Sequence, residues 1–209
     1  MISFFLLLTL TATDAISQVV AVVEDASADL PYQQFDFLER NTKIDLGESG
    51  YITLGYLNSC TYEEIRGGTV FIDAFQSNIF GGAVIREEVN CDGGGLVLDP
   101  NQSAQSGADV FRDVEVNEIQ QIVVFGGPPI FISKEIIGKI TLEDESTSDR
   151  LDLDHNRRVL DLKKNNFFLT DGSSYRITYK GSSFKVEIHF PEISSTKSPP
   201  LISRLVRLP

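Results

Sequence analysis

Residues 175–190 read Tyr-Arg-Ile-Thr-Tyr-Lys-Gly-Ser-Ser-Phe-Lys-Val-Glu-Ile-His-Phe, and they carry the clearest structural pattern in the chain. Aromatic and β-branched side chains alternate with polar ones on both sides of the segment Lys-Gly-Ser-Ser. Alternation with a period of two is typical of a strand that has one face on a core. A short connection containing glycine is typical of a hairpin. The stretch therefore predicts a β-hairpin made of strands 175–179 and 184–190.

Strand signals continue outward from this hairpin, because short β-branched or aromatic runs recur every 8–12 residues along the chain. Glycine pairs, among them Gly67-Gly68 and Gly81-Gly82, separate many of these runs and favour turns or corners. In the first half, strands are predicted over 18–23, 44–46, 51–57, 62–65, 69–72, 78–80, 83–89 and 96–98. In the second half, they are predicted over 119–125, 130–132, 139–142, 158–162, 167–169, 175–179 and 184–190. Residues 201–208 are predicted to form a short helix or an edge strand.

Composition agrees with a folded all-β protein and excludes several classes. The chain has 209 residues, of which 42% are hydrophobic and 23% are charged. These proportions exclude disordered, collagen-like and coiled-coil proteins. The formal net charge of -12 argues against a nucleic-acid-binding protein, because such proteins need a basic surface to displace counterions from phosphates.

The charges are divided unevenly along the chain. Residues 16–125 carry 18 acidic and 5 basic side chains, whereas residues 126–209 carry 11 acidic and 13 basic ones. This difference predicts two units: an acidic, rolled or sandwich-like β-module over 16–113, and a small β-sandwich over 114–209. A polar stretch, 101–121, is expected to link them.

The N-terminal residues indicate export. Residues 2–13 form an apolar run that is too short to span a bilayer, and small residues Thr13 and Ala15 follow in the pattern of a cleavage site. Residues 1–15 are therefore predicted to be a signal peptide, although no basic residue precedes the run. A buried N-terminal segment is the alternative. No second apolar run reaches membrane length, so no transmembrane span is expected in the mature chain.

Cys60 and Cys91 are the two cysteines of the chain. An even pair in an exported protein is most simply a disulfide, and each cysteine lies beside a predicted strand. Two buried free thiols are the alternative.

A family resemblance rests on residues 42–54, which read as a strand, a turn at Gly47–Gly50 and a second strand. This pattern resembles the periplasmic β-module of FecR-like proteins. Together with Cys60, the paired glycines, the segment Cys91-Asp92-Gly93-Gly94 and the closing Leu205-Val206-Arg207-Leu208, it is also similar to an uncharacterised group of exported proteobacterial proteins. The resemblance implies a β-module in a bacterial envelope. It does not imply sigma-factor regulation, because we expect neither the membrane helix nor the cytoplasmic N-terminal segment of FecR in this chain.

Residues that could carry chemistry are few. Glu143, Asp144, Glu145 and Asp149 form a local acidic cluster that is a weak candidate for a divalent cation, with a plain polar loop as the alternative. Residues 152–156 open like a calcium-binding loop, but its sixth and twelfth positions are wrong. The pairs 63–64 and 87–88 are expected to be exposed carboxylates on a solvated sheet edge. No hydrolase nucleophile motif occurs, and no cofactor is expected.

Two functions remain as predictions. The first is a non-enzymatic protein of the periplasm or cell surface of a Gram-negative bacterium, which binds another envelope protein or itself. The second is a carbohydrate- or calcium-binding module acting on envelope polysaccharide. The absence of tryptophan argues against the second function, although Tyr51, Tyr56 and Tyr62 offer smaller aromatic platforms.

Overall fold

A computed structural model describes residues 18–92, 121–167, 169–189 and 199–209. Strands account for 57% of these residues and helix for 3%, which confirms the predicted all-β class. The predicted signal peptide, the strand 96–98 and the boundary at residue 113 lie outside the described ranges.

Fourteen strands and one short helix occur within the described ranges, and they form three sheets. The elements of the first half are β1 Val19–Ala26, β2 Phe37–Glu39, β3 Lys43–Tyr56, β4 Thr61–Ile72, β5 Ser77–Phe80 and β6 Ala83–Glu88. Those of the second half are β7 Gln121–Phe125, β8 Ile130–Ile132, β9 Gly138–Asp144, β10 Arg150–His155, β11 Val159–Asp161, β12 Ser174–Tyr179, β13 Ser182–His189, α1 Leu201–Arg204 and β14 Leu205–Arg207.

The first half is one six-stranded antiparallel sheet in the order β2-β1-β3-β4-β5. Strands β5 and β6 both pair with β4: β5 with residues 69–72 and β6 with residues 61–66. Its buried side chains form one cluster contributed by the sheet's own strands. The largest of these side chains are Ile52, Leu54, Tyr56, Ile65 and Ile72. Because these strands bury their apolar side chains against one another, the sheet curves around its own core.

Glycines produce this curvature. The predicted turn at Gly47–Gly50 is instead an irregularity inside the single long strand β3, where the register with β4 shifts twice. Gly67 and Gly68 have φ of 65° and 75° and lie inside β4, opposite the β5–β6 connection. A Cβ atom at Gly68 would overlap the backbone of Phe80 and the following glycines. Gly67 and Gly68 therefore form a corner within β4, next to the turn at Gly81 and Gly82, and they bend the sheet.

The second half is a sandwich of two sheets. The larger sheet has the order β10-β9-β12-β13-β7, and the predicted hairpin is confirmed as β12 and β13. The smaller sheet has the order β11-β8-β14, in which β14 runs parallel to β8. Phe131, Leu160 and Val206 of the smaller sheet pack in one cluster with the inward side chains of the larger sheet.

The smaller sheet also joins the two halves of the molecule. Its opposite face carries Ile130, Ile132 and Leu205, which pack with Val22 and Leu57 of the first half. Neighbouring residues of one strand thus point into two different cores, because side chains of a strand alternate between its faces. The two halves therefore share buried apolar surface at this sheet.

Several local expectations were wrong. Residues 152–155, read as the start of a loop, belong to strand β10, which pairs with β9. Strand β2 was not predicted, and residues 167 and 169 are not in a strand. The segment 201–208 combines its two alternatives, because helix α1 is followed directly by β14 at the edge of the smaller sheet.

Candidate functional site

The predicted disulfide between Cys60 and Cys91 is confirmed. Cys60 ends the connection from β3 to β4, and Cys91 follows β6, so the bond closes one end of the β4–β6 pair. The two Cα atoms are 5.6 Å apart. A backbone hydrogen bond from Val89 N to Cys60 O, 3.0 Å long, extends the ladder to the bridge. The bridge therefore holds β6 against β4 at the outer edge of the first sheet.

Glu63 corrects the expectation of an exposed carboxylate pair, because its side chain is fully buried. Its carboxylate accepts hydrogen bonds from Arg86 Nε at 2.6 Å and from the backbone N–H of Ser77. Arg86 also donates to the carbonyl of Ser77, and the Ser77 hydroxyl contacts the hydroxyl of buried Tyr56 at 2.7 Å. A buried carboxylate needs such partners to offset the loss of water. This network joins β5 and β6 to β4 through buried hydrogen bonds.

Exposed apolar side chains lie along the same edge. Phe75, Phe80 and Ile85 expose 61%, 65% and 60% of their surface, and Phe71 is partly exposed. The rings of Phe71 and Phe80 meet edge to face with 5.6 Å between their centres. We call Phe71, Phe75 and Phe80, together with strand β5, the aromatic edge. Sequence reasoning did not single it out, although a strand with Phe80 and no charged residue is a recognisable signal.

The acidic cluster predicted as a cation site is occupied by protein partners. Asp144 accepts hydrogen bonds from the backbone and the hydroxyl of Ser146, and that hydroxyl contributes most to lowering the pKa of Asp144. Glu145 forms ion pairs with Lys185 at 2.9 Å and Arg176 at 3.1 Å, and the hydrogen bond from Lys185 contributes most to lowering its pKa.

The other two carboxylates of that cluster have different neighbours. Asp149 accepts from the Thr147 hydroxyl, and Glu143 faces Arg150 and Arg176 in the strand register. Across the described ranges, no three side chains of His, Cys, Asp or Glu come together in a way that would hold a metal ion.

The histidines and tyrosines do not form a recognisable site either. His155 Nε2 lies 2.8 Å from the carbonyl of Val159, and His189 Nε2 lies 2.9 Å from Glu187. Tyr56 is fully buried, and burial is the main cause that raises its pKa. Tyr62 is also buried, so these rings offer no flat exposed platform for a sugar.

The segment 199–209 lies against both halves of the molecule. Glu24 of β1 accepts hydrogen bonds from the backbone N–H groups of Leu201 at 2.8 Å and Ile202 at 3.0 Å. Arg204, which is only 6% exposed, forms an ion pair of 2.7 Å with Asp161. Two buried charges from different halves of the molecule are thus satisfied by this one segment.

A groove of about 680 Å³ has Asp161 in its lining, and Arg157, Arg158 and Lys164 supply its positive charge. Phe35 of the first half lines the groove as well. Sequence reasoning missed it, although an Arg-Arg pair in a chain of net charge -12 is a signal that could have been noticed. A second groove of about 440 Å³ is lined by Tyr51, Tyr62 and several carboxylates.

Within the described ranges, no helix has the length and hydrophobicity needed to cross a bilayer. The chain matches no protein-family model, no curated protein and no solved structure. The resemblance to FecR-like proteins therefore stays a prediction.

Proposed function

We propose that this chain is an exported, non-enzymatic module that binds another envelope protein, or a second copy of itself, through the aromatic edge. One observation carries the proposal. Strand β5 has β4 as its one neighbour among the described strands; it ends in the exposed Phe80 and follows the exposed Phe75. A partner could cover the exposed rings and pair with the backbone of β5 beyond Ser77, whose N–H and carbonyl are already bonded to Glu63 and Arg86.

The two strands at this edge, β5 and β6, differ in how they resist unwanted pairing. Strand β6 carries Arg86, Glu87 and Glu88, and charged residues on an edge strand discourage association. Strand β5 reads Ser-Asn-Ile-Phe and has no charged residue. An edge that is protected at one end and apolar at the other is suited to specific rather than indiscriminate pairing.

The exported location is part of the same proposal. Disulfides form and persist in oxidising compartments, which supports the periplasm or the cell surface over the cytoplasm. The apolar run over 2–13 supports the same location. The charge difference between the halves supports a role in binding, because it gives the first half an acidic surface that a partner could recognise.

The absence of enzyme activity is proposed from what the polar groups do. The buried carboxylates of the described residues, those of Glu24, Glu63, Asp144 and Asp161, already accept hydrogen bonds from the protein itself. A catalytic acid or base needs a substrate-facing position and a pKa suited to proton transfer. The calcium-binding alternative gains no support from Asp144 or Glu145, because protein donors occupy both carboxylates.

The test is affinity capture from the native envelope extract with three forms of the protein. These are the wild type, Phe80→Lys and, as a matched control, Ile136→Lys. Ile136 is 60% exposed, like Phe80, but lies between β8 and β9 in the other half. Sedimentation equilibrium of the same three forms measures binding to a second copy.

We expect a stoichiometric partner, or a dimer, that Phe80→Lys abolishes and Ile136→Lys leaves intact. Retention at 0.5 M salt is expected because an apolar contact is not screened by ions. Loss of the partner at high salt together with indifference to Phe80→Lys would point to the acidic surface instead. Turnover of a glycan or peptide that depends on a carboxylate would overturn the non-enzymatic proposal.

A further inference from the structure

The positively charged groove at the junction of the two halves has the properties of a ligand site. It is lined by Phe35 from the first half and by His155, Asn156, Arg157, Arg158 and Lys164 from the second. Its volume of about 680 Å³ lies in the range of small-molecule sites. We define these residues as the basic groove.

Hydrogen bonds fix the backbone of Arg157 and Arg158, whereas their side chains have no carboxylate partner among the described residues. The carbonyl of Arg157 accepts a hydrogen bond of 3.0 Å from Ile137 N, and that of Arg158 accepts one of 2.9 Å from Ser133 N. Among the described residues, neither guanidinium forms an ion pair, whereas Arg86 and Arg204 each have a carboxylate partner. The chain has many carboxylates, yet these two adjacent arginines pair with none of those described, and their backbone is fixed. Their guanidinium groups are therefore available to bind an anion.

The carboxylate that lines the groove does not oppose an incoming anion. This carboxylate belongs to Asp161, which is 8% exposed and forms its ion pair with Arg204. It also accepts a hydrogen bond of 3.0 Å from the backbone N–H of Lys163. The negative charge of Asp161 is therefore balanced by Arg204. The electrostatic potential in the groove is then determined by the two arginines and Lys164.

The aromatic wall of the groove is held in an unusual conformation. Phe35 has a φ of 77°, a left-handed backbone that a bulky side chain rarely adopts. Its N–H donates to the carbonyl of Val23 at 2.9 Å, and Lys164 Nζ lies 6.0 Å from the centre of its ring. Strained residues of this kind occur preferentially where a ligand is bound.

From this combination we infer that the basic groove binds a segment of an acidic polysaccharide, one whose sugars carry carboxylate groups. The arginines match carboxylates in a bidentate manner. Asn156 adds an amide that both donates and accepts, which suits hydroxyl groups, and Asn165 keeps its amide oxygen as an acceptor while its nitrogen donates to the Asp161 carbonyl. A bare phosphate needs donors alone and would fill little of 680 Å³. The inference is independent of the proposed partner-binding edge, which lies on β5.

The test is calorimetric titration of the full chain with a hexamer of galacturonic acid. A neutral hexamer of glucose and inorganic phosphate serve as comparison ligands. The groove variant is Arg157→Gln with Arg158→Gln. The control variant is Arg40→Gln with Arg150→Gln, which removes the same charge at two exposed arginines that do not line the groove.

We expect the acidic hexamer to bind the wild type, with affinity that falls as salt rises. The groove variant should lose affinity by about tenfold or more per arginine, because each removes a charge-assisted pair. The control variant should change it by less than about twofold, since exposed pairs contribute little.

Four results would overturn the inference. These are no binding of the acidic hexamer, equal binding of the neutral hexamer, phosphate binding as tight as that of the hexamer, and equal losses in both variants. Thermal unfolding checks that both variants are folded. We expect both to be, because the groove arginines are exposed and their replacement leaves the cores intact.

Discussion

Gly55 allows the segment 199–209 to lie on the first sheet, and replacing it with alanine tests that contact. A Cβ atom at residue 55 would lie 2.8 Å from Ile202 Cβ and 2.8 Å from Glu24 Oε1. Real carbon atoms do not approach so closely, so Ile202 or the strand must move. Glycine is therefore required at position 55 because of the neighbouring Ile202 and Glu24 side chains, and not because of its own backbone conformation.

The expected cost follows from these distances. Forcing a methyl group into a packed contact costs about 1–3 kcal/mol. Displacing Glu24 also weakens its hydrogen bonds to the N–H groups of Leu201 and Ile202, at about 1 kcal/mol or more for bonds to a charged group. We expect Gly55→Ala to lower the free energy of unfolding by about 2–4 kcal/mol.

Urea unfolding measures this loss, and a double-mutant cycle with Ile202→Gly assigns it. In the Ile202→Gly background the clash with the isoleucine is gone, so Gly55→Ala should cost at least about 1 kcal/mol less. Hydrogen exchange should show faster exchange over 199–209 in Gly55→Ala alone. An equal cost in both backgrounds, or a cost below about 0.5 kcal/mol, would refute the contact.

Three further changes test other parts of the structure. Arg204→Ala leaves Asp161 buried without its partner, so urea unfolding should show a loss of about 3–5 kcal/mol, and a loss below about 1 kcal/mol would contradict the burial. Replacing Cys60 and Cys91 with serine should cost about 3–4 kcal/mol, the same as reduction of the wild type, and a difference between the two treatments would argue against the bridge. Asp144→Ala should cost about 1 kcal/mol at pH 7. Because the pKa of Asp144 is lowered in the folded state, its contribution is present above its ordinary pKa and is lost as pH falls through the lowered value. The stabilities of wild type and variant should therefore converge in acid, and a gap that persists there would contradict the assignment.

The strands that sequence predicts best are those whose pattern is local. In β12 and β13, the alternation of Tyr175, Ile177 and Tyr179 with polar residues is complete, because one face lies on a core and the other on solvent. Strands β3 and β4 were each predicted as two pieces, because glycine was interpreted as punctuation. Gly67 and Gly68 are corners that fit against the neighbouring strand, and nothing local reveals that neighbour.

The site residues depend even more on distant partners. Glu63 and Glu64 look alike in sequence, yet one is buried because Arg86 reaches it from 23 positions away. The basic groove needs Phe35 beside Lys164, which a single sequence cannot bring together. The disulfide was predictable because two cysteines allow a single intramolecular pairing.

The smaller sheet has a consequence for how the molecule can be taken apart. Ile130 and Ile132 contact one core while Phe131, between them, contacts the other. A fragment that contains only the second half would expose one face of this sheet to water. Three aliphatic side chains on that face, Ile130, Ile132 and Leu205, would lose their contacts with the first half. A cut that keeps only the first half would uncover Val22 and Leu57. Either fragment would expose an apolar patch, so we expect the isolated halves to aggregate. Because the two halves share this buried surface, we expect the intact chain to unfold in a single calorimetric transition.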